Sequence, residues 1–420
     1  MDRPAVLIAA ASGRALAASA RRAGYAPLVI DYFADQDTIA SAQAYVRLAH
    51  GLDRGMYAPE VIAGLQRLSE QQDPCGVVWG SGFEDRPSLL RDIVQCWKLI
   101  GNGADVVEHV KHPLLLAKLC RSCDIPYPDT QMDRPDDPRG WLIKRIGGAG
   151  GTHIRDAEAL TSPRSRGEVD ARSAAGEGAS PSTQTRGEAP SPGLLRNPTS
   201  PRKRGEVEIR EAAFYYQRRV AGDPISVLVL ADGRKGLILG FSTQWSSPSR
   251  AHPFRYGGAV RPAPLLPDVA EALSQTVQRL TALTGLVGLN SFDFLIDDGT
   301  FHLLEINPRP GATMDICEPT GSLSLFALHV DACAGRLPDR APVLDGAAAS
   351  TVVYATADIP QRPSLDWPDW SADRPIAGSS ISAQSPLCTV LASAATAGEA
   401  RELVELRART ILARSCARPS

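Results

Sequence analysis

The sequence predicts an α/β fold that begins with a doubly wound parallel sheet and continues into α+β lobes. In the first hundred residues, short apolar runs alternate with helix-like segments, a pattern typical of parallel sheets. After residue 213, strand-like runs follow one another with one helix between them. At about 150 residues per domain, the 420 residues allow two or three domains.

The N-terminal region contains three predicted strands and two predicted helices. In chain order they are Ala5–Ala10, Arg14–Ala23, Pro27–Ile30, Val77–Gly80 and Ser88–Leu99. Asp31 follows the second strand, as an acidic residue does in dinucleotide-binding folds. However, Ser12-Gly13 is not the G-x-G-x-x-G pattern of such folds, so NAD is not expected.

The later region is predicted to contain seven strands and two helices. The strands are Ala213–Val220, Ile225–Leu230, Gly236–Thr243, Ser291–Ile296, Phe301–Ile306, Ser350–Thr356 and Cys388–Ser393. The helices are Asp268–Thr284 and Ala397–Ala413.

Composition argues against two classes of partner. The formal net charge is −2, so a broad nucleic-acid-binding surface is not expected. No stretch reaches the roughly 18 apolar residues of a membrane span, and the short apolar run near the N-terminus does not predict a signal peptide. The eight cysteines are scattered, and Cys120 and Cys123 are interpreted as two thiols on a helix. We therefore expect a reducing, cytoplasmic setting.

The segment 162–207 differs from the rest of the chain. It is rich in Ser, Pro, Arg, Gly and Glu, and it repeats SPRSRGEV as SPRKRGEV. Such a composition cannot bury enough apolar surface to offset its ordering entropy. We interpret it as a disordered surface insertion; a basic regulatory loop is the alternative.

The strongest local signal is a predicted hairpin in SFDFLIDDGTFHLLEINPRPG, residues 291–311. A two-residue turn at Asp298-Gly299 would place Asp293 and Glu305 on opposite faces. A three-residue loop instead pairs Asp293 with Leu303, and then Glu305 shares its face as a diagonal neighbour roughly 7–8 Å away. The hypothesis adopted is the three-residue loop.

On that register, the hairpin carries two carboxylates and a carboxamide on one face: Asp293, Glu305 and Asn307. Mg²⁺ typically takes one or two carboxylates together with substrate phosphates. Arg309 lies just beyond them and could hold a phosphate or a carboxylate. The alternative is a solvated hairpin with ordinary surface acids, but a charge between apolar residues needs a partner or a metal.

A second signal is the glycine-rich segment WLIKRIGGAGGTHI, residues 141–154. A strand delivers Lys144, and glycines allow backbone N–H groups to close around phosphate oxygens. The segment is not a Walker A loop, because the lysine precedes the glycines. We interpret it as a flexible hairpin lid; a purely structural hairpin is the alternative.

A third signal is FYYQRRVAGDPISVLVL, residues 214–230, in which a strand ends at Val220 and a turn precedes a new strand. A backbone hinge there could present N–H and C=O groups to an adenine edge.

The order of these motifs resembles the ATP-grasp superfamily of carboxylate–amine and carboxylate–thiol ligases. The resemblance covers roughly residues 1–325 without the insertion. Residues 101–130 look like the family's helix before the ATP lobe, and WGSGFEDRP at 79–87 resembles a loop of the carbamoyl-phosphate-synthase-like subgroup.

The resemblance implies a pre-ATP-grasp doubly wound sheet, a two-lobed ATP-grasp fold and a small β-rich C-terminal lobe. The pre-ATP-grasp sheet would span residues 1–110, and the two ATP-grasp lobes would span 111–213 and 214–325. The C-terminal lobe would span 326–420.

The resemblance also implies roles for individual residues. Lys144 and Arg309 would be catalytic, and Asp293, Glu305 and Asn307 would bind the metal. The nucleotide-binding residues would be Lys111, Lys144, Gly147, Gly148, Gly150, Gly151, Gln217, Arg218, Arg219 and Val220. Lys118 is an alternative to Lys111.

The implied activity is that of an ATP- and Mg²⁺-dependent ligase, with Mn²⁺ as a substitute metal. It would join a small carboxylate to an amine through an acyl phosphate, similar to the tyramine–glutamate ligase of cofactor biosynthesis. The alternatives are a carboxylase that phosphorylates bicarbonate and a non-catalytic ATP-binding protein. A homodimer is a further expectation.

Two further segments are candidate substrate contacts. In the loop at 244–260, Arg250, His252, Arg255 and Tyr256 could bind a carboxylate or a phosphorylated acceptor, or form an ordinary polar loop. Glu84 could contact substrate or simply be an acid at the start of a helix.

Overall fold

The computed structural model describes residues 3–50, 55–70, 72–161, 213–319, 323–362 and 365–416. The predicted insertion at 162–207 lies outside the described residues. No helix in the described ranges is long and apolar enough to cross a membrane.

The described strands are numbered in chain order. They are β1 Ala5–Ala9, β2 Ala26–Asp31, β3 Ala44–Arg47, β4 Val77–Trp79, β5 Thr130–Gln131, β6 Trp141–Arg145, β7 Arg155–Asp156, β8 Phe214–Arg218, β9 Asp223–Asp232, β10 Gly236–Ser246, β11 Tyr256–Arg261, β12 Val287–Asp297, β13 Thr300–Asn307, β14 Ala347–Tyr354, β15 Ser371–Ala372 and β16 Pro386–Ala394.

The described α-helices lie between these strands and at the C-terminal end. They are Arg14–Arg22, Gln36–Ser41, Ala58–Ser69, Pro87–Ile93, Ala104–Lys111, Pro113–Ser122, Pro267–Thr284, Met314–Cys317, Leu325–Cys333 and Ala397–Cys416.

The N-terminal region forms a four-stranded parallel sheet in the order β3-β2-β1-β4. Successive residues of β1 are buried in two different cores, Val6 and Ile8 on one face and Leu7 and Ala9 on the other. Both faces are therefore covered, as in doubly wound sheets, and the predicted fold class is confirmed. Strand β3 and the helix Ala58–Ser69 were not predicted from the sequence.

The largest sheet has eight antiparallel strands in the order β13-β12-β9-β10-β11-β14-β16-β15. The helix Pro267–Thr284 covers one face through Val269, Leu273 and Val277. It begins with Pro267 at its first position, and Gly285 ends it in the left-handed conformation (φ 67°). This packing holds β12 and β13 in place at one edge of the sheet.

A third, smaller sheet has the antiparallel order β5-β8-β6-β7. Strand β8 belongs to it, although the predicted boundary at 213/214 separates Phe214–Arg218 from residues 111–213. Strands β14 and β16 extend the eight-stranded sheet, although the predicted C-terminal lobe begins at 326. The observed sheets thus cross two of the predicted boundaries.

Candidate functional site

The two predicted metal-binding carboxylates lie directly opposite each other, because Asp293 of β12 pairs with Glu305 of β13. The predicted three-residue loop is wrong: Asp297 pairs with Thr300 across a two-residue turn. Asp298 (φ 45°) and Gly299 (φ 77°) give this turn the positive φ values that match the twist of the strands.

A β-bulge corrects the register that this tight turn would impose. The pairing shifts between Asp293 and Phe294, so Phe294 pairs with Leu303 and Leu304 is the extra residue. Glu305 is therefore the cross-strand partner of Asp293 rather than its diagonal neighbour. The two acids share a face, as predicted, but for a different reason.

Asn307 and Lys111 connect the two acids. The Asn307 amide nitrogen donates to Asp293 Oδ2 at 2.9 Å, and its Oδ1 accepts from Lys111 Nζ at 3.0 Å. Lys111 Nζ also lies 3.1 Å from Glu305 Oε2. The four side chains thus form one continuous hydrogen-bonded group.

Lys111 rather than Lys118 reaches this group, and the local sequence explains why. Pro113 disfavours helical geometry at the residue before it, and His112 is indeed extended (ψ 116°). The helix Ala104–Lys111 therefore ends with a buried lysine beside β13. Lys118 lies in the next helix and is exposed.

The two carboxylates have opposite electrostatic settings. Burial, together with the charge of Glu305, raises the pKa of Asp293. Burial would also raise the pKa of Glu305, but the electrostatic effects of Lys111, His153 and Lys144 outweigh it and lower that pKa. At Asp293, burial and repulsion by the Glu305 carboxylate therefore outweigh the attraction of the Lys111 charge.

This donor set fits a divalent hard cation bound partly by a ligand. Asp293, Glu305 and Asn307 offer the carboxylate and amide oxygens that Mg²⁺ prefers. No group of three or more His, Cys, Asp or Glu side chains able to hold a metal occurs among the described residues. A Mg²⁺ at this hairpin would thus complete its coordination with phosphate or water oxygens.

Lys144 of β6 lies beside this group and is buried. Its Nζ donates to Gln217 Oε1 at 2.6 Å, and Gln217 in turn donates to Thr130 Oγ1 at 3.2 Å. Burial lowers the pKa of Lys144 to about 8, and Lys111 adds to this effect while Glu305 opposes it. Among the described residues, the lysine thus has a hydrogen-bond partner but no ion-paired carboxylate.

The predicted glycine-rich hairpin is present, since β6 pairs with β7 on either side of residues 146–154. Gly147 (φ 69°) and Gly151 (φ 71°) need glycine for two reasons. Both have left-handed φ values, and a Cβ would overlap the backbone of Glu84 and Asp85 at Gly147 or the carbonyl of Phe254 at Gly151. Gly148 and Gly150 lie between these two contacts. Whether the hairpin moves as a lid remains a prediction.

The predicted adenine-binding residues lie at the end of β8. Gln217 is buried beside Lys144, whereas Arg218 and Arg219 are exposed and Val220 is half-buried. Arg218 lies over the ring of Trp141. The backbone N–H groups of Arg218 and Arg219 are bonded to the carbonyls of Asp129 and Gly140, at 2.8 and 2.9 Å.

Arg309 is held by Glu84, so Glu84 is not a simple helix-start acid. The Arg309 Nε donates to Glu84 Oε1 at 2.8 Å, and both side chains are buried. Burial would raise the pKa of Glu84, but Arg309 and Lys111 outweigh it and lower the pKa. Arg309 Nη2 also lies 3.5 Å from Asn307 Oδ1. The N-terminal region thereby orients Arg309 beside the acid pair.

One of the four candidate acceptor residues is committed elsewhere. Arg255 is buried, stacks on Tyr354 at 3.6 Å and donates to the carbonyl of Gln384 at 3.0 Å. Tyr256 lies in β11, and its buried hydroxyl has no hydrogen-bond partner among the described residues. Arg250 is exposed, and His252 Nδ1 lies 3.0 Å from the carbonyl of Thr152 in the glycine-rich hairpin.

Two residues of this site, Gln244 and His153, were not among the residues predicted from the sequence. Gln244 Nε2 lies 3.4 Å from Asp293 Oδ1, and no local sequence pattern indicated this contact. His153 acts electrostatically on Glu305. Its position within the glycine-rich segment was a signal that could have indicated it.

Comparison with protein families gives one match: residues 199–313 match the model of the ATP-grasp domain. The matched range includes Asp293, Glu305, Asn307 and Arg309. No curated protein matches the sequence.

Solved structures resemble nearly the whole chain. The biotin carboxylase domain of Hydrogenobacter thermophilus 2-oxoglutarate carboxylase, in complex with MgADP, ADP and bicarbonate, has a TM-score of 0.68 at 14% identity, and the match covers 97% of this chain and 89% of that one. Campylobacter jejuni biotin carboxylase has a TM-score of 0.65 at 15% identity, and the match covers 96% of this chain and 90% of that one. Staphylococcus aureus N5-carboxyaminoimidazole synthetase, complexed with ADP, has a TM-score of 0.62 at 12% identity, and the match covers 96% of this chain and 97% of that one. At these identities the likeness is one of fold.

Proposed function

We propose that this chain, whose residues 199–313 match the ATP-grasp domain, is an ATP- and Mg²⁺-dependent ligase of the ATP-grasp superfamily. In this proposal it activates a small carboxylate as an acyl phosphate and transfers the acyl group to an amine. One observation carries the proposal: Asp293 and Glu305 face each other, joined by Asn307, beside two buried lysines.

Each part of this group suits one need of phosphoryl transfer. Asp293, Glu305 and Asn307 would hold Mg²⁺, which neutralises phosphate charge when bound. Lys111 and Lys144 lie beside these acids and would bind phosphate oxygens. Most of the catalysis would then be positioning and charge stabilisation.

Arg309 suits the carboxylate side of the reaction. Its guanidinium is fixed by Glu84 and lies against Asn307, so it would meet a phosphate or acyl phosphate without reorganising. The glycine-rich hairpin would cover the phosphates and exclude water, which would otherwise hydrolyse an acyl phosphate. Gln217 through Val220 would line the adenine.

We further propose that the acceptor is an amine and that the reaction belongs to cofactor biosynthesis, similar to that of a tyramine–glutamate ligase. Of the candidate acceptor-loop residues, Arg250 is exposed and His252 is half-buried. The partners proposed are therefore small molecules, one carboxylate and one amine.

Phosphorylation of bicarbonate is a second candidate, because one neighbour in fold was solved with MgADP and bicarbonate. Bicarbonate is itself a small carboxylate-like anion that Arg309 could hold. The two candidates differ in a measurable way, since only the second makes ADP release depend on bicarbonate.

The test is ADP release from Mg·ATP in the presence of pooled carboxylates, pooled amines or bicarbonate. We expect a carboxylate pool to raise ADP release and an amine pool to raise it further. Glu305→Gln should abolish the increase, whereas Lys118→Ala, an exposed lysine of the neighbouring helix, should preserve it.

Two results would contradict the ligase, and a third would contradict its assigned site. Stimulation by bicarbonate alone would favour the carboxylase, and tight Mg·ATP binding without stimulated turnover would favour a non-catalytic ATP-binding protein. Unchanged stimulation in Glu305→Gln would remove the assigned site.

A further inference from the structure

Gln244 of β10 contacts the acid pair from two strands away. Its Nε2 donates to Asp293 Oδ1 at 3.4 Å. Strand β9 lies between β10 and β12, so two strand spacings, about 9–10 Å, separate the two backbones. The side chain of Gln244 therefore extends along the face of the sheet, across β9, to meet a residue 49 positions away.

The residues between Gln244 and Asp293 are small. Ser226 of β9 pairs with Asp293 on one side and with Ser242 of β10 on the other, so these three side chains lie in one row on one face. Gln244 lies two residues beyond Ser242 and therefore on the same face. Because serine side chains are short, the row leaves space for the longer Gln244 side chain to cross it.

The two oxygens of Asp293 accept from two different amides. Asn307 donates to Oδ2 at 2.9 Å, and Gln244 donates to Oδ1. The terminal torsion of an aspartate side chain has only broad preferences, so hydrogen bonds set the plane of the carboxylate. An ionised carboxylate has about four acceptor positions, so each oxygen keeps one for a cation. The two amides thus orient Asp293 and leave it able to bind a metal.

The orientation of the Gln244 amide follows from its partner. An ionised carboxylate only accepts hydrogen bonds, so the amide nitrogen of Gln244 faces Asp293 and its carbonyl oxygen is directed elsewhere. Gln244 therefore acts on the carboxylate, whereas Asp293, Glu305 and Asn307 supply the oxygens for the cation. Residues that hold a metal ligand in place in this way typically contribute 10- to 100-fold to metal affinity.

We propose that Gln244 is a positioning residue of the metal site, which holds the Asp293 carboxylate in the orientation that binds a divalent cation. The inference rests on the proposed Mg²⁺-dependent function and adds a residue outside the three assigned ligands. Gln244 contacts neither the cation nor the nucleotide in this proposal. Its contribution to nucleotide binding should therefore appear only when the cation is present.

The test measures how much a metal adds to nucleotide binding, and it needs no substrate. Calorimetry on the full-length protein gives the Kd of ADP in EDTA and the Kd of Mn·ADP with excess Mn²⁺, which binds oxygen ligands as Mg²⁺ does. Because Mn·ADP forms in solution without the protein, a change in the ratio of the two Kd values reports a change in the metal affinity of the protein-bound nucleotide. Thermal melting shows whether each variant is folded.

The variants separate the amide donor from the rest of the side chain. Gln244→Met keeps the length and removes the donor, whereas Gln244→Asn keeps an amide that is one methylene too short to reach Asp293. Gln275→Met is the matched control, because Gln275 also donates to a carboxylate, Glu271 Oε1 at 2.7 Å, but on the exposed side of the helix Pro267–Thr284.

We expect Gln244→Met and Gln244→Asn each to weaken Mn·ADP binding about 10- to 100-fold and to leave the Kd of ADP in EDTA unchanged. Gln275→Met should match the wild type in both measurements. A purely structural role would instead weaken ADP binding equally with and without the metal, and that result would contradict the proposal.

The remaining outcomes distinguish this inference from the proposed function. If the wild type binds Mn·ADP more tightly than ADP and both Gln244 variants do so equally well, only the role of Gln244 is wrong. If the wild type binds ADP equally with and without Mn²⁺, the proposed metal site fails as well. Failure of both variants to fold would make Gln244 a structural residue and would also overturn the inference.

Discussion

Two groups of buried charges occur in this molecule, and they are satisfied to different degrees. The Arg14 cluster consists of Arg14, Asp315 and Asp373. Arg14 Nη1 and Nη2 donate to the two oxygens of Asp315 at 2.5 and 2.7 Å, and Nε and Nη2 donate to those of Asp373 at 3.0 Å each. Every carboxylate oxygen in that cluster therefore has a guanidinium donor.

The acid pair Asp293 and Glu305 is the opposite case. Among the hydrogen bonds of the described residues, Asp293 accepts from two amide groups, those of Asn307 at 2.9 Å and Gln244 at 3.4 Å. Its pKa is raised by burial and by Glu305, whereas the pKa of Asp373 is lowered because Arg14 outweighs its burial. The comparison teaches that complete pairing indicates a structural role and incomplete pairing indicates a ligand site.

The largest expected effect tests the incomplete group. Glu305→Gln should lower turnover at least about 100-fold. Loss of a residue that only supports a metal ligand already costs up to about 100-fold, and Glu305 is assigned as a ligand itself. Its melting temperature should fall only modestly, because loss of the ion pair with Lys111 is partly offset by relief of the repulsion between Glu305 and Asp293. Steady-state ADP release and thermal melting measure the two effects. A large fall in melting temperature would mean that Glu305 is structural.

The next effect tests the complete group. Arg14→Met should destabilise the fold by about 3–5 kcal/mol, because it leaves two buried carboxylates without a partner. Urea denaturation measures this loss, and Mg·ATP affinity of the folded fraction at low temperature should stay close to wild type. Adding Asp373→Asn should restore part of the stability. A stable Arg14→Met protein would contradict the structural role.

A smaller effect separates the two candidate lysines. Lys111→Ala should weaken Mg·ATP binding about 10- to 100-fold, as expected for loss of a charged hydrogen-bond donor. Lys118→Ala should leave it unchanged. Isothermal titration of both variants makes the comparison, and equal affinities would show that Lys111 does not contact nucleotide.

A pH profile tests whether activity depends on the positive charge of Lys144. Because its pKa is lowered to about 8, the free enzyme carries this charge below pH 8 and loses it above. The kcat/KM for ATP should therefore fall as pH rises through 8, since that ratio reports groups of the free enzyme. In Lys144→Arg the guanidinium stays charged, so the remaining activity should lack this fall. A decline that persists in Lys144→Arg would assign the titration to another group.

The smallest effect is expected for the segment 162–207. Its composition predicts no contribution to a packed core, so its deletion should leave the melting temperature and turnover nearly unchanged. Insoluble protein after deletion would contradict that prediction.

Much of the site could be predicted because its residues lie on strongly patterned segments. The alternating apolar residues of β12 and β13 predicted both strands and assigned Asp293 and Glu305 to them. The bulge at Leu304 could not be predicted, because it leaves no local sequence pattern.

Contacts between distant segments were beyond sequence reasoning for the same reason. Glu84 and Arg309 are 225 positions apart, and nothing in either segment indicates that they are partners. The Arg14 cluster likewise joins Asp315 and Asp373 to the N-terminal sheet across more than 300 positions. Each such pair forms only when separate sheets pack together.

The sequence alone determined which chemical groups this protein has and which strand, helix or turn carries most of them. Hydrophobic periodicity and turn residues act over a few neighbouring positions, so they can be recognised in the sequence without knowledge of tertiary contacts. The tertiary structure decided which charges are paired and which are left for a ligand. That decision depends on distances between segments far apart in the chain, because burial and charge act through space and not along the sequence.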